Sequence, residues 1–412
     1  MPRVSTNQMQ SVAINSMLKQ HETLSRVQQQ VATGKKIFKP SEDPVAAARV
    51  VNLKDTLSSV HQYQSNVDAA KARITLSEGV LASVVDSIQR VRELTVQANN
   101  DSQNDETRGY IAAEVKQIQD EILNLANTTD SNNEYLYAGA LSRSKPFSRN
   151  EVGGFEYNGD ESNRQIQISH SRRIAVDDPG SKVFLEIKNG NGIFNTQDAV
   201  ENKGTGVIDP GQASGDFLPD TYAIIFDKSH KAFEGAFKFG EIPLTYSVVN
   251  SKGGVISAGI PFQSDKEISF NGIHTSIKGE PMDGDVFVIK PSQNQDIFTT
   301  LENLISALDS SNPEVSDRIS FHNALNRSLV DISQSLDNIL EVRGDIGSRL
   351  NALDAQETIN EAYTIQIREI LSNVEDLDYA EAVSRLNLEL TGLEASQKAF
   401  TRVQNISLFN YI

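Results

Sequence analysis

Residues 60–91, with the sequence VHQYQSNVDAAKARITLSEGVLASVVDSIQRV, decide the fold of this chain. Apolar residues recur there in alternating steps of three and four from Val60 to Val91, and Ser77 is the only polar member of the series. This heptad spacing is typical of a long helix that packs along one stripe against other helices.

The start of this long helix is marked in the preceding residues, Pro40-Ser41-Glu42-Asp43-Pro44. The side chain of Ser41 or Asp43 can accept hydrogen bonds from free amides of the first turn, and Pro44 suits that turn. Acidic residues also favour the positive end of the helix dipole. We expect the helix to run from Pro44 to about Asn99.

Shorter apolar stripes predict further helices on both sides. The first ends near Gly34, a suitable C-terminal cap, and consists of Met17, Leu24, Val27 and Val31. A second follows the long helix at Ile111, Val115, Ile118, Ile122 and Leu125. The C-terminal third contains Phe298, Leu301, Ile305 and Leu308, then Leu325, Leu329, Ile332, Leu336, Ile339, Ile346, Leu350 and Leu353, and finally Val383, Leu386, Leu390, Leu393, Phe400 and Val403.

The middle of the chain has a different composition. Residues 171–291 contain 15 of the 25 Gly, 7 of the 12 Pro and 10 of the 17 Phe. Gly and Pro interrupt helices, and Phe favours strands. We therefore predict an α+β fold, in which a long antiparallel helical rod or bundle of N- and C-terminal segments carries a β-rich domain at its far end.

Asn-Gly pairs in the middle predict hairpins, because this dipeptide suits type I′ turns. At Asn158-Gly159 we expect Phe155 and Tyr157 to face Ile166 and Ile168 across the turn. The other pairs are Asn189-Gly190, Asn191-Gly192 and Asn271-Gly272.

Charge and composition exclude several classes of function. The 412 residues carry a net charge of −17, which argues against nucleic-acid binding and against an anionic membrane surface. The absence of cysteine excludes disulfides, thiolate metal sites and a cysteine nucleophile. We see no secretory signal and no membrane-spanning segment, which predicts a cytoplasmic protein or one exported without a cleaved signal.

No catalytic constellation stands out, and we predict no enzyme activity, no metal site and no cofactor. The six histidines lack the spacing of a helical zinc site. Asp283-Gly284-Asp285 lacks the spacing of a calcium loop and is better interpreted as a tight turn.

Two glycines, Gly344 and Gly347, lie inside a predicted helix, where each costs about 1 kcal/mol relative to Ala. One interpretation is a kink between two helices. The other is a close approach of a neighbouring helix, which the missing Cβ would permit. The sequence leaves both open.

The apolar stripes continue to both ends of the chain and finish with Leu408 and Phe409. Two helices alone bury too little apolar surface to be stable. We therefore predict that the terminal helices form an assembly interface with other molecules. A complete bundle within one molecule is the alternative.

Several motifs resemble those of the flagellar hook–filament junction proteins, members of the flagellin superfamily. Residues 33–45, TGKKIFKPSEDPV, resemble the segment that joins the first two helices in that family and include Gly34, Pro40, Asp43 and Pro44. Residues 343–351, RGDIGSRLN, are similar to the Arg-x-x-Leu-Gly-Ala-x-x-Asn signature of flagellins and include Arg343, Gly344, Gly347 and Asn351. Residues 281–291 and the ending LFNYI also resemble the family.

The resemblance implies a division into three domains: residues 1–42 with 375–412, residues 43–170 with 292–374, and residues 171–291. It implies terminal helices that are disordered in the free monomer and pair in a tubular assembly. It also implies type III export with a chaperone on the C-terminal segment, and a self-assembled ring between hook-associated protein 1 and the flagellin filament.

Three competing interpretations remain. Flagellin itself is disfavoured by the Pro40 and Pro44 pair, and would form long filaments in sedimentation. An intracellular coiled-coil scaffold would not reach the culture medium. An enzyme in the β-rich segment would need a pocket that the sequence does not reveal.

Overall fold

The computed structural model describes residues 6–100, 103–150, 154–228, 243–309 and 315–405. The chain divides into two compact units. We call Met1–Val67 with Asp354–Ile412 the terminal unit, and Asp68–Leu353 the central unit. The helices are α1 (Thr6–Thr33), α2 (Pro44–Ala98), α3 (Asp105–Ala126), α4 (Ile297–Asp309), α5 (Val315–Glu375) and α6 (Tyr379–Asn405).

The predicted α+β class is confirmed, with long helices near both ends of the chain and antiparallel strands between them. The strands are β1 (Phe147–Arg149), β2 (Phe155–Tyr157), β3 (Gln165–Gln167), β4 (Arg173–Ala175), β5 (Ile187–Lys188), β6 (Phe194–Asp198), β7 (Val207–Ile208), β8 (Gln212–Ala213), β9 (Tyr222–Asp227), β10 (Thr245–Asn250), β11 (Val255–Pro261), β12 (Glu267–Phe270), β13 (Ile273–Lys278), β14 (Val286–Pro291) and β15 (Asn294–Gln295). The finer division into three domains stays a prediction.

The long helix α2 begins as the sequence predicted. The Asp43 carboxylate accepts a hydrogen bond of 2.9 Å from the backbone N–H of Ala46, and Pro44 is the first helical residue. Every member of the heptad series from Val60 to Val91 is buried except Tyr63, which is half-buried. The stripe therefore lies against other parts of the chain.

Within the central unit, α3 and α4 pack together, and their predicted stripes are buried apart from the half-buried Leu125. The amide of Gln119 donates a hydrogen bond of 3.0 Å to the carbonyl of Phe298, which joins the two helices. The Phe298 ring lies 4.6 Å from that of Phe155 and 5.5 Å from that of Phe147. An aromatic core thus links α4 to the strands.

The largest sheet has five antiparallel strands in the order β11-β10-β9-β14-β6. Alternate side chains on β9 and β14 are buried, including Tyr222, Ile224 and Phe287. They form a core with the second sheet, β12-β13-β7 with β8 also paired to β13.

The Asn271-Gly272 turn is confirmed as a hairpin turn. Both residues have positive φ angles, 44° and 76°, and Phe270 pairs with Ile273 across them. A type I′ turn requires this conformation at both central positions, and an Asn-Gly pair adopts it readily.

The predicted hairpin at Asn158-Gly159 is wrong. The strand of Phe155 and Tyr157 pairs with β1, and the strand of Ile166 pairs with β4. The N–H of Asn158 instead donates to the carbonyl of Pro146, so this turn is held by other partners. A local dipeptide signal could not reveal them.

Buried charges also hold the central unit together. Arg73 on α2 contacts Asp130 at 2.5 Å and Asp177 at 3.7 Å. One Asp177 oxygen accepts a hydrogen bond from the N–H of Arg164, whereas the other has no hydrogen-bond partner. Burial therefore raises the pKa of Asp177 to about 6.

Candidate assembly surface of the terminal helices

The first and last helices of the described chain, α1 and α6, pack antiparallel in the terminal unit. The hydroxyl of Ser396 donates a hydrogen bond of 2.9 Å to the side chain of Gln20, and Lys35 forms an antiparallel bridge with Asp376. The end of α1 thus lies beside the start of α6.

The predicted apolar stripes divide into three groups in this pair. Leu24, Val27 and Leu393 are buried between the helices. Half-buried positions are Met17, Val31, Leu386 and Phe400. Val383 and Leu390 are exposed. The side chain of Val403, and Leu408 and Phe409 entirely, lie outside the described residues.

Further apolar residues on the outside of the pair were missed by the sequence reasoning. Val12, Ile14 and Leu18 on α1 are exposed, as is Leu388 on α6. They fall outside the heptad stripe, so a search for one stripe overlooks them. The signal available in the sequence was apolar residues on two sides of a helix, which favours contacts on both sides.

The connection between α1 and α2 lies against the connection between α5 and α6. Gly34 has a φ of +69°, and its carbonyl accepts a hydrogen bond of 2.9 Å from the N–H of Leu377. A Cβ on Gly34 would also lie 2.9 Å from the hydroxyl of Tyr379, but this is the far end of an exposed side chain that can shift, so the positive φ of the helix cap is the main reason for glycine here.

Glu375 fixes this joint electrostatically. Its carboxylate lies 2.6 Å from the Lys35 ammonium and 2.9 Å from that of Lys54. The hydrogen bond from Lys35 lowers the pKa of Glu375, together with that from Lys54 and against the effect of burial. One carboxylate therefore ties the residue after the Gly34 cap, and α2, to the end of α5.

The other motif residues of this segment have local roles. The Glu42 carboxylate accepts hydrogen bonds from the backbone of Phe38 and Lys39, and the bond from Phe38 lowers its pKa most. Asp43 and Pro44 begin α2, whereas Pro40 is exposed in the connection.

The second motif lies in the central unit, on α5. Arg343 contacts the Glu78 carboxylate of α2 at 2.5 Å. A Cβ on Gly344 or Gly347 would have no heavy atom within 4 Å among the described residues. Helix α5 runs without interruption through both glycines, and no close approach to them is found within the part of the chain that the structure describes. Asn351 is exposed.

In the described part of the chain, no helix is long and apolar enough to cross a membrane. Over the same residues, no three His, Asp or Glu side chains are grouped so that they could hold a metal ion.

The class of protein follows from comparison with known families. Residues 4–142 match the bacterial flagellin N-terminal helical region, and residues 329–412 match the C-terminal helical region. The match with Clostridium tyrobutyricum flagellin reaches 28% identity but covers only 33% of this chain and 36% of that protein. The chain has the helical ends of a flagellin-type protein.

Longer matches specify the family. Flagellar hook-associated protein 3 of Escherichia coli is 25% identical over 99% of this chain and 98% of its own length. The crystal structure of hook-associated protein 3 from Legionella pneumophila is 30% identical, with a TM-score of 0.74 over 79% of this chain and 98% of that one. FlgL from Xanthomonas campestris is 28% identical, with a TM-score of 0.70 over 78% and 99%. The chain belongs to the flagellar hook-associated protein 3 family, and it is a structural component of the flagellar junction.

Proposed function

We propose that this protein forms a ring outside the cell, in the flagellum, between hook-associated protein 1 and the flagellin filament. The observation that carries the proposal is the incomplete burial of α1 and α6. Each helix covers part of its apolar surface with the other and leaves Leu18, Val383 and Leu390 exposed. Surfaces of this kind mark contacts with other proteins.

The mechanism is mechanical and involves no turnover. Ordering a terminal helix costs about 1–2 kcal/mol of backbone entropy per residue. Burial of apolar side chains against neighbouring subunits offsets this cost at roughly 25 cal/mol per Å². Folding coupled to assembly keeps the monomer soluble until it reaches its place in the flagellum. Before that, an export chaperone covers the C-terminal segment and the chain leaves through the flagellar type III apparatus.

Removal of residues 383–412 tests the proposal. The shortened chain keeps the central unit folded, as judged by its circular dichroism melting curve, but is absent from flagella isolated from cells that lack the full-length gene. The control is the full-length chain, expressed from the same plasmid as the shortened chain and in the same cells. Normal motility with the shortened chain would refute the proposal.

Hydrogen exchange tests the coupling of folding to assembly. The amides of α1 and α6 should exchange rapidly in the free chain, whereas those of residues 74–95 on α2 should be protected. In isolated flagella the amides of α1 and α6 should become protected too. Equal protection in both samples would contradict coupled folding.

A further inference from the structure

The terminal unit carries opposite charges on its two parts. Residues 1–67 contain eight basic residues (Lys and Arg) and four acidic residues (Asp and Glu). Residues 354–412 contain four basic and ten acidic residues. The imbalance is strongest in residues 354–378, with one basic residue and seven acidic ones. A chain with a net charge of −17 thus keeps a basic N-terminal part.

The two parts lie side by side within the unit. Lys35 and Lys54 pair with Glu375. Further along α2 and α5, Nη2 of Arg368 lies 3.5 Å from Nε2 of His61. The side-chain amide of Asn360 donates a hydrogen bond of 3.4 Å to Oε1 of Gln64. These contacts place α2 and α5 antiparallel.

The outer surface of the N-terminal part combines basic and apolar residues. Val45 and Arg49 are four residues apart on α2, so they share one face, and both are exposed, Val45 by 81%. Phe38 and Lys39 in the preceding connection are exposed as well. The acidic residues of that connection, Glu42 and Asp43, are also exposed, but their carboxylates accept hydrogen bonds from backbone N–H groups. Lys39 and Arg49 form no ion pair within the described residues. We call this the basic surface.

The outer surface of α5 has the complementary composition. Glu361, Ile365 and Glu369 are spaced by four residues and share one face. All three are exposed, Ile365 by 67%, and neither Glu361 nor Glu369 forms an ion pair in the part of the chain that the structure describes. Ile359 and Tyr363 are exposed on the same helix. We call this the acidic surface.

From this pairing of charge with exposed apolar residues, we infer that the basic surface of one copy docks on the acidic surface of a second copy. An apolar centre with charges at its edge is the composition of a protein interface, and complementary charge selects the partner and its orientation. Because different surfaces meet, the contact is heterologous and repeats from copy to copy, as a closed ring requires. The inference rests on the proposed function and names the lateral partner within the junction.

Charge reversal tests the inference in cells whose own copy of the gene is deleted. Lys39→Glu with Arg49→Glu makes the basic surface acidic, and Glu361→Lys with Glu369→Lys makes the acidic surface basic. We expect each pair to lower the amount of protein in isolated flagella at least tenfold, with the missing protein recovered from the medium. A variant with all four changes again presents opposite charges to its neighbours and should return to within about threefold of the unmodified chain.

Matched controls reverse exposed charges of the central unit. Arg143→Glu with Lys145→Glu, and Glu201→Lys with Asp216→Lys, make the same changes in net charge and should leave incorporation unchanged. Circular dichroism melting of every variant checks that it folds.

Two outcomes would overturn the inference while the proposed function survives. One-sided variants that incorporate normally would show that these surfaces make no contact. A four-change variant as poorly incorporated as the one-sided variants would show that another flagellar protein occupies them. Absence of the unmodified chain from flagella would instead refute the proposed function, and the inference with it.

Discussion

The terminal and central units solve the problem of burying apolar side chains in different ways. Within the described residues, the contacts between aromatic rings all lie in the central unit, around Phe298 and in the sheets. The terminal unit has narrow seams, such as that of Leu24 and Val27, and many of its other large apolar side chains are half-buried or exposed. The central unit thus buries more of its large apolar side chains within itself than the terminal unit does.

The substitution with the largest expected effect, Phe298→Ala, disrupts the core of the central unit. Phe298→Ala removes a fully buried ring and should lower the free energy of unfolding of this unit by about 3–5 kcal/mol. Chemical denaturation followed by the near-ultraviolet signal of the tyrosines measures it. Phe38→Ala, which removes an exposed ring, should change this free energy of unfolding by no more than about 0.5 kcal/mol. Equal effects of the two substitutions would contradict the comparison.

The stability of the central unit should depend on the protonation of Asp177. Its folded pKa of about 6 lies above the ordinary value of 3.8, so the folded state binds more protons between these values. The contribution of Asp177 is therefore fully present below pH 3.8 and is lost as the pH rises to 6, by at most about 3 kcal/mol. The difference in unfolding free energy between the unmodified chain and Asp177→Asn should change over this range. A constant difference would contradict the assignment.

In the terminal unit, Leu24→Ala removes a buried side chain of the α1–α6 seam and should cost about 2 kcal/mol. In isolated flagella, where these helices are ordered, hydrogen exchange in α1 and α6 should become faster, while exchange in α3 stays unchanged. Leu18→Ala is the matched control, because Leu18 is exposed. It should leave exchange in the free chain unchanged and reduce incorporation into flagella. A slower exchange rate in either variant would be inconsistent with this comparison.

Glu375 should give the terminal unit a pH dependence of the opposite sign. Its pKa is lowered, so its stabilisation is present above the ordinary value of 4.5 and is lost as the pH falls through the folded pKa. Both lysines are nearly half exposed, so Glu375→Gln should cost only about 1 kcal/mol at pH 7. Hydrogen exchange of the Leu377 amide in the unmodified chain and in Glu375→Gln, measured at pH 7 and at pH 4, gives the cost of the substitution at each pH. A larger cost at pH 4 than at pH 7 would disprove the assignment.

The smallest effect is a gain in stability. Gly344→Ala should stabilise α5 by at most about 1 kcal/mol, because the new Cβ meets open space and alanine favours the helix. Thermal unfolding of the free chain measures it. A loss of stability would mean that an interaction not visible in the isolated chain surrounds this glycine.

Much of the helical framework could be predicted from the sequence. The series from Val60 to Val91 and the cap at Asp43 depend only on spacing and on local hydrogen bonds. The pairing of Phe155 and Tyr157 with β1 could not be predicted, because partners such as the carbonyl of Pro146 come from another part of the chain.

The candidate surface was predicted only in part. The sequence placed Leu24 and Leu393 in one class with Val383 and Leu390, although the first two are buried and the last two are exposed. It also overlooked Val12 and Leu18, because their positions break the heptad pattern. Both differences have one cause: spacing shows that a residue lies on an apolar face but not how many neighbours that face has.

The sequence by itself determined where the helices lie, how α1 and α2 are capped, and that the two ends of the chain carry unequal charge, since all of these depend on residues close together in the chain. The tertiary structure alone decided which strands pair, that Glu375 receives both Lys35 and Lys54, and which apolar residues stay exposed. These properties depend on contacts between residues far apart in the chain, and those contacts exist only once the helices and strands have packed.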